Sequence, residues 1–285
     1  MLRKTKQRNY KRNDKLASGN QSLSRGLAIL TQVELSKQPL GVREIGRRLE
    51  ISPTIVQRLV HTLVDEGFLI QEPASQRYAL GYRALSLGSS VRDENSLVAS
   101  ANTILSDLAE ALTVNCYLAV IAAEQLVYVL TIQSPGPVSI KVQAGKAASF
   151  HTTAMGKALL ASLPNERTEK LLTQQALPKL TEQTCTDPTI LLDEIAEARR
   201  KGFAITHGEN LVGVDSVGSV IRDSAGQPIA AISAAYAPSL QPELEISHLI
   251  RRVCEAARGI SLSLGCPENT LDQLHPIKEI KANVA

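Results

Sequence analysis

The chain has 285 residues, 44% of them hydrophobic, and its formal net charge of +3 is unevenly distributed: residues 1–90 hold 15 Lys and Arg against 7 Asp and Glu, whereas residues 91–285 hold 16 against 21. This length allows two domains with separate cores, and a basic head on an acidic remainder favours a nucleic-acid-binding domain joined to a body with another task. The four cysteines are widely spaced and form no CxxC pair, which argues against a disulfide framework or a zinc site and favours a reduced, cytoplasmic protein. The apolar stretch over 114–130 is broken by Glu124 and Gln125, which argues against a membrane span.

Residues 1–20 form a basic tail with seven Lys or Arg side chains and no apolar periodicity. Such a segment is expected to be disordered in isolation. The tail either follows DNA phosphates or enters a minor groove, which would add a salt-dependent contribution to affinity, or it only solubilises the chain. The sequence leaves both alternatives open.

Residues 21–82 are predicted to form a winged helix-turn-helix DNA-binding domain. The first helix, over 21–36, is expected to back the core through apolar residues at helical spacing, namely Leu23, Leu27, Leu30 and Val33. Residues 41–67 then predict two helices around a tight turn. A strand, a turn and a second strand over 68–80 follow directly, which is the pattern of a wing.

The second helix of the pair is predicted to begin at Pro53, with Ser52 as its N-cap, and to end at Gly67. Its apolar residues fall on one side of a helical wheel, and its polar residues fall on the other. These polar side chains have the length and the hydrogen-bonding groups to reach base edges in a major groove, while the helix start suits a DNA phosphate. The expected DNA contacts are Ser24, Arg25, Arg43, Ser52, Thr54, Gln57, Arg58, His61 and Arg77.

Residues 83–100 predict a linker helix, residues 101–267 a second domain, and residues 268–285 a C-terminal tail. Strands of the second domain are expected over 116–121, 126–132, 138–142, 212–221 and 228–237, and helices over 153–163, 166–175, 189–202 and 242–264. Because hairpins interleave with helices, an α+β fold with an antiparallel sheet is predicted for this domain.

Three stretches, taken in order, resemble the IclR family of bacterial transcriptional regulators over about residues 22–265. They are SLSRGLAIL at 22–30, FHTTAMGKALLA at 150–161, and RRKGFAITHGEN at 199–210 together with GQPIAAIS at 226–233. The resemblance implies a homodimer, often two dimers together, on a palindromic double-stranded DNA operator. It also implies a GAF-like C-terminal domain that binds a small organic effector, commonly a carboxylate or an aromatic acid. No cofactor and no metal are expected.

By position, the resemblance implies an effector pocket at the start of the GKALLA helix and on the strands beyond it. A helix N-terminus with free N–H groups that faces strand hydroxyls suits a carboxylate. Thr206 and Ala235 stand where some relatives have an acidic residue and a serine, and Phe150 stands where an aliphatic residue is common. A more apolar acid or a neutral, amide-like ligand is therefore expected. The implied pocket residues are Ala154, Met155, Thr206, Val214, Ser216, Ser233 and Ala235.

An enzyme of this sequence would have to use His151, which adjoins two threonine hydroxyls, or His207, which with Glu209 offers two metal ligands. No nucleophile elbow, phosphate loop or HExxH motif is present, and His151 is predicted to be a buried histidine that fixes a turn, so catalysis is rejected. A constitutive architectural DNA-binding protein would not need the acidic second domain. The leading hypothesis is a ligand-responsive repressor of a catabolic operon, with an activator of the same architecture as the alternative.

Overall fold

The structure is a computed structural model that describes residues 20–36, 38–93, 96–136, 138–174 and 177–274. The predicted basic tail, except for Asn20, and residues 275–285 of the predicted C-terminal tail lie outside the described residues. The chain divides into two compact units between Val91 and Arg92. Each unit has its own hydrophobic core.

The first unit is a winged helix-turn-helix, as predicted. It comprises α1 (Gln21–Ser36), α2 (Val42–Leu49), α3 (Pro53–Asp65), the antiparallel strands β1 (Leu69–Gln71) and β2 (Tyr78–Leu80), and most of α4 (Tyr82–Asp93). Leu40 and Tyr78 exchange two backbone hydrogen bonds of 2.9 Å, which attach the loop before α2 to the wing. The core of the unit is formed by Ile29, Val33, Leu40, Ile45, Val56, Val60, Leu69 and Tyr78.

The buried face of α1 agrees with the prediction in part. Val33 is buried and Leu30 packs against the core, as predicted, but Leu23 and Leu27 are 63% and 56% exposed. Gly26 and Ile29 are buried in their place. Both choices have helical spacing, because α1 carries more apolar residues than one stripe needs, and the packing of α1 on α2 and α3 decides between them.

The second unit begins with the end of α4 and contains a six-stranded antiparallel sheet in the order β5-β4-β3-β8-β7-β6. Its strands are β3 (Asn115–Ala122), β4 (Gln125–Ile132), β5 (Ala147–Ala148), β6 (Ala204–His207), β7 (Asp215–Arg222) and β8 (Pro228–Tyr236). Its helices are α5 (Ser96–Leu112), α6 (Ala154–Ser162), α7 (Asn165–Thr173), α8 (Pro188–Lys201), α9 (Ile246–Ser263) and α10 (Glu268–Leu274). The predicted α+β class is confirmed.

The sheet carries a different core on each face. Cys116 and Leu118 of β3 point to a core with α5 and α9, whereas Tyr117 and Ala119 point to a core with α6, α7 and α8. This alternation follows from the two-residue period of a strand. We call the second of these faces the α6 face. None of the helices in the described ranges is long and apolar enough to cross a membrane.

Several elements of the second unit and of the linker region differ from those predicted. Residues 138–142 form no strand, and the edge position next to β4 is taken by β5 instead. β6 lies where no strand was predicted. β7 begins at Asp215 rather than at residue 212, after Gly213 with its left-handed φ of 73°. The predicted linker region is divided between α4 and the start of α5, with residues 94 and 95 outside the described ranges.

Candidate DNA interface and effector pocket

The polar face of α3 carries four of the predicted DNA-contacting side chains. Thr54, Arg58 and His61 are exposed and Gln57 is half-buried, while Val56 and Val60 are buried on the opposite side of the helix. The Gln57 Nε2 lies 2.9 Å from the His61 Nε2 and 3.5 Å from the Tyr78 hydroxyl. The structure therefore brings these residues to one face, with Gln57 and His61 already oriented by each other.

The N-terminus of α3 is open to a ligand. Ser52 occupies the N-cap position with extended backbone (φ −60°, ψ 142°), but its side chain forms no capping hydrogen bond, and Pro53 follows at the first turn. The N–H groups of that turn are thus left for another acceptor, and a phosphate oxygen is the acceptor that a helix N-terminus favours.

The other predicted DNA contacts lie on α1, on α2 and in the wing. Ser24 and Arg25 are half-buried on α1, and Arg43 is exposed in the first turn of α2. Arg77 donates to the Pro39 carbonyl oxygen (3.1 Å) and lies 3.4 Å from the carboxylate of Glu44. Arg77 therefore joins the wing to the start of α2, which the sequence did not indicate.

Four of the seven implied effector residues lie in two neighbouring rows of the α6 face, whereas Ala154 and Met155 begin α6 and Val214 precedes β7. In the first row Thr206 of β6 pairs with Ser216 of β7, which pairs with Ala235 of β8, and the two hydroxyl oxygens are 2.6 Å apart. In the second row Gly218 pairs with Ser233. Ser233 is 4% exposed, and its hydroxyl has no hydrogen-bond partner among the described residues.

The start of α6 lies directly on the second row. A Cβ on Gly218 would come 2.4 Å from the Ala154 carbonyl carbon and 2.5 Å from the Met155 nitrogen, so only glycine allows this approach. Thr153 caps the helix by accepting a hydrogen bond of 3.1 Å from the Gly156 N–H. The N–H groups of Ala154 and Met155 have no acceptor within the part of the chain that the structure describes.

The sequence analysis did not identify two residues that lie beside the candidate pocket. Asn115 pairs with Ala235 and Tyr117 pairs with Ser233, so both rows continue onto β3. Tyr117 packs edge-to-face on Tyr128, with ring centroids 5.6 Å apart. The alternation of β3 indicates which of its residues share a face, but the register between β3 and β8 is a long-range property that a local pattern does not contain.

A buried ion cluster ties α6 to the loop between β6 and β7. The Lys157 ammonium, 3% exposed, lies 2.7 and 2.8 Å from the two carboxylate oxygens of Glu209 and 2.7 Å from Glu194. Burial raises the pKa of Glu209, and the hydrogen bond from Lys157 opposes this shift. Thr184 also donates to the Glu209 carbonyl oxygen, at 2.7 Å. This loop, which connects Thr206 to Ser216, is therefore firmly held.

The histidines considered for catalysis have structural partners. His151 is buried, with Nδ1 2.9 Å from the Ser149 hydroxyl and Nε2 3.2 Å from the Pro178 carbonyl oxygen, and burial lowers its pKa. The neighbouring Thr152 donates to Asn210, at 2.9 Å. His207 lies 2.7 Å from Asp215 at an exposed position. In the described ranges no group of three or more His, Cys, Asp or Glu is arranged to hold a metal ion.

Each of the two units matches a domain of a known protein family. Residues 90–262 match the C-terminal domain of the bacterial transcriptional regulator IclR, and residues 22–73 match the IclR helix-turn-helix domain. The chain belongs to the IclR family of bacterial transcriptional regulators. The IclR-family members are DNA-binding regulators with an effector-binding domain and not enzymes, which confirms the rejection of catalysis.

Individual IclR-family proteins are similar to this chain over most of their length. The transcriptional repressor IclR of Escherichia coli K12 is 27% identical over 247 residues, which cover 86% of this chain and 90% of that protein. The structure of Thermotoga maritima IclR has a TM-score of 0.68 at 25% identity, covering 86% of this chain and 98% of that one. An IclR homolog from Microbacterium hydrocarbonoxydans, crystallised with 4-hydroxybenzoate, has the same fold, with a TM-score of 0.72 at 24% identity and coverage of 85% and 98%.

Proposed function

We propose that this IclR-family regulator is a cytoplasmic, ligand-responsive repressor of a catabolic operon, which binds a palindromic operator as a homodimer or a pair of dimers and responds to a small organic acid. The proposal of an acid effector rests on two kinds of hydrogen-bond donor that lie close together on the α6 face, namely backbone N–H groups and a serine hydroxyl. The free N–H groups of Ala154 and Met155 lie against Gly218, whose strand partner is the buried, unpartnered Ser233. A carboxylate satisfies both, because it accepts from backbone N–H groups and from a hydroxyl at once.

The surroundings of these donors favour an acid with an apolar body. Met155, Tyr117 and Ala235 are buried in the core of the α6 face, and Val214 packs against it. The hydroxyls of Thr206 and Ser216 are engaged with each other, so they offer fewer free hydrogen bonds than a polar ligand would need. We therefore propose an aromatic acid or a branched aliphatic acid ahead of a small keto acid, because burial of apolar surface then contributes to the binding free energy.

The proposed DNA contacts divide into base readers and phosphate contacts. Arg58 and Thr54, with the Gln57–His61 pair, occupy the face of α3 that enters a major groove in helix-turn-helix proteins. Ser24, Arg25, Arg43, Ser52 and Arg77 are proposed to contact the backbone, which sets register and salt dependence rather than sequence preference. Effector binding is proposed to shift the population between two arrangements of the recognition helices in the dimer.

The decisive measurement is an anisotropy titration of the purified protein on DNA from its own upstream region, with a shuffled duplex as control. The titration is repeated over a series of salt concentrations and with a panel of acids that includes benzoate, 4-hydroxybenzoate, pyruvate and isobutyrate. Tight, salt-sensitive binding that one acid weakens supports a repressor with an acid effector. Equal affinity for the shuffled duplex would refute specific operator binding, and tighter binding with the acid would favour an activator.

Arg58→Ala tests the assignment of the recognition helix. It is expected to weaken operator binding by about 1–3 kcal/mol, because a good side-chain contact to a base edge is worth about that much. Acid binding should be unchanged, since the effector donors lie in the other unit. Arg200→Ala, which removes the same charge from α8, serves as the control and should leave operator affinity unchanged. An operator affinity for Arg58→Ala equal to that of Arg200→Ala would show that α3 does not read the DNA.

Ser216→Leu tests the pocket itself. A bulky side chain in the first row is expected to abolish the response to the acid while operator binding survives. Loss of both properties would indicate a folding defect, and retention of both would place the acid elsewhere.

A further inference from the structure

The side chain of Asn115 uses every hydrogen-bonding group that it has. Asn115 is 1% exposed at the start of β3, and its Oδ1 accepts from the backbone N–H groups of Ser134 (3.1 Å) and Ile140 (2.9 Å). Its Nδ2 donates to the carbonyl oxygens of Val138 (2.9 Å) and Ala235 (3.4 Å). A carboxamide offers two acceptor sites and two donor hydrogens, so this one is saturated.

The backbone that Asn115 holds has no strand partner. Residues 138–142 have the alternating pattern of a strand but form no ladder, and Asn115 satisfies two of the backbone groups that a ladder would otherwise engage. Tyr117 donates a further hydrogen bond of 3.1 Å to the Ile140 carbonyl oxygen. We call residues 138–142 the covering segment.

The covering segment lies on the α6 face, at the two rows that hold the proposed effector residues. Ile140 and Val142 pack against the core that contains Tyr117, Met155 and Ala235. The two residues that hold the segment occupy the same rows: Asn115 pairs with Ala235, and Tyr117 pairs with Ser233. One carboxamide therefore joins the covering segment to β8 at the proposed pocket.

We propose that Asn115 is a positioning residue for the effector pocket: it holds the covering segment over the Ser233 row and thereby controls access to that row. Asn115 does not itself contact the effector, because its four hydrogen bonds are already made within the chain. The role of Asn115 in effector binding rests on the proposed function. The hydrogen bonds from Asn115 to the covering segment, in contrast, are present in the protein without ligand. It can therefore be tested before any effector is known.

The test compares the reactivity of two engineered thiols towards 5,5′-dithiobis(2-nitrobenzoate) in the full-length native protein. Ser233→Cys reports on access beneath the covering segment. Ser219→Cys is the matched control, because Ser219 is 1% exposed on the neighbouring strand β7 and faces the other side of the sheet, where its hydroxyl donates to Gly202. Cys185, the half-buried natural thiol, is replaced by serine in every variant, and Cys254, which lies within hydrogen-bond reach of Ser219, is replaced by alanine. The buried thiols Cys116 and Cys266 remain.

Asn115→Ala removes all four bonds and is expected to accelerate labelling of Ser233→Cys about tenfold, with the rate at Ser219→Cys unchanged. Asn115→Ser keeps a short hydroxyl that can form only part of this set of bonds, so its acceleration should be intermediate. Tyr117→Phe removes only the bond to Ile140 and should have the smallest effect. These two milder variants keep the test decisive if Asn115→Ala fails to fold.

Two outcomes would overturn the proposal. Acceleration at both engineered thiols would mean that Asn115 only stabilises the unit as a whole, and no acceleration at Ser233→Cys would mean that the covering segment does not limit access. The proposed function is tested separately, by adding 4-hydroxybenzoate and benzoate to the operator titration of the parent protein, in which Ser233 is intact. Failure of these acids to change operator affinity would count against an aromatic-acid effector and would leave the Asn115 result standing.

Discussion

Replacing Lys157 by methionine is expected to destabilise the C-terminal unit by about 3 kcal/mol at neutral pH. The Lys157 ammonium is 3% exposed and contacts three carboxylate oxygens at 2.7–2.8 Å, so its removal leaves the buried Glu209 without its main counter-charge. Loss of one partner from a buried pair typically costs about 3–5 kcal/mol. We expect the lower end of that range, because the Glu194 side chain is 38% exposed and can be solvated by water instead.

The cost of Lys157→Met is expected to depend on pH. Burial already raises the pKa of Glu209 above its ordinary value of 4.5, and loss of the opposing Lys157 charge raises it further. A carboxyl group whose pKa is raised by folding favours the folded state below its unfolded pKa, and that contribution is lost as the pH rises through the folded pKa. The destabilisation should therefore be small near about pH 4.5–5 and should grow towards neutral pH.

Urea unfolding of the full-length protein at several pH values measures this effect. The chain has no tryptophan, so near-UV circular dichroism follows tyrosines, of which Tyr117, Tyr128 and Tyr236 are buried in the second unit. The double variant Lys157→Met with Glu209→Gln should recover part of the loss, because it leaves no buried unpaired charge. Lys201→Met, which breaks the exposed pair with Glu197, is the control and should leave the unfolding midpoint unchanged. A cost for Lys157→Met that is below about 1 kcal/mol or independent of pH would refute the reasoning.

Three further outcomes are expected from the same unit. Gly218→Ala should destabilise the second unit by about 1–3 kcal/mol and abolish the response of operator binding to acid, because the new Cβ would overlap the backbone of Ala154. An unchanged melting temperature and an unchanged response would contradict the packing of α6 on β7. Thr153→Ala should cost about 1 kcal/mol in urea unfolding through loss of the cap on the Gly156 N–H, whereas Thr153→Ser should cost much less. Burial lowers the pKa of His151 from 6.5, so its contribution to stability is present above pH 6.5 and is lost as the pH falls through the folded pKa. The melting temperature of His151→Gln should therefore vary less over that pH range than the melting temperature of the parent protein. An identical pH profile for the two proteins would argue against a buried neutral imidazole.

Local sequence patterns determined the DNA-binding half of this protein well. In α3 the proline at the first turn, the apolar stripe ending in Val60 and the polar face with Arg58 all concern residues within a few turns of one another. Helix periodicity and turn chemistry act over that same short range, so a sequence suffices to predict them. The motif at 150–161 likewise identified α6, because the start of a helix is also a local feature.

Where local patterns offered two solutions, tertiary packing made the choice. Both apolar stripes of α1 are helical, and contact with α2 and α3 buried the one with Ile29 and left Leu27 in solvent. Residues 138–142 alternate as a strand does, but Asn115 hydrogen-bonds to their backbone and β5 takes the sheet edge. The competing interaction comes from a residue more than 20 positions away, and no local pattern contains it.

The candidate pocket depended most on the tertiary structure. Its composition is set by the antiparallel register of β3, β8, β7 and β6, which aligns Tyr117 with Ser233 and Ser233 with Gly218. A shift of one residue would turn every one of these side chains to the other face of the sheet. The partners of the buried Lys157 are equally remote in the chain, since Glu194 and Glu209 lie on α8 and in the β6–β7 loop. The sequence by itself determined most of the helices and strands and the chemistry that each carries. Only the packing of distant segments decided which side chains meet and that residues 138–142 form no strand, because strand register and burial depend on contacts across the whole fold.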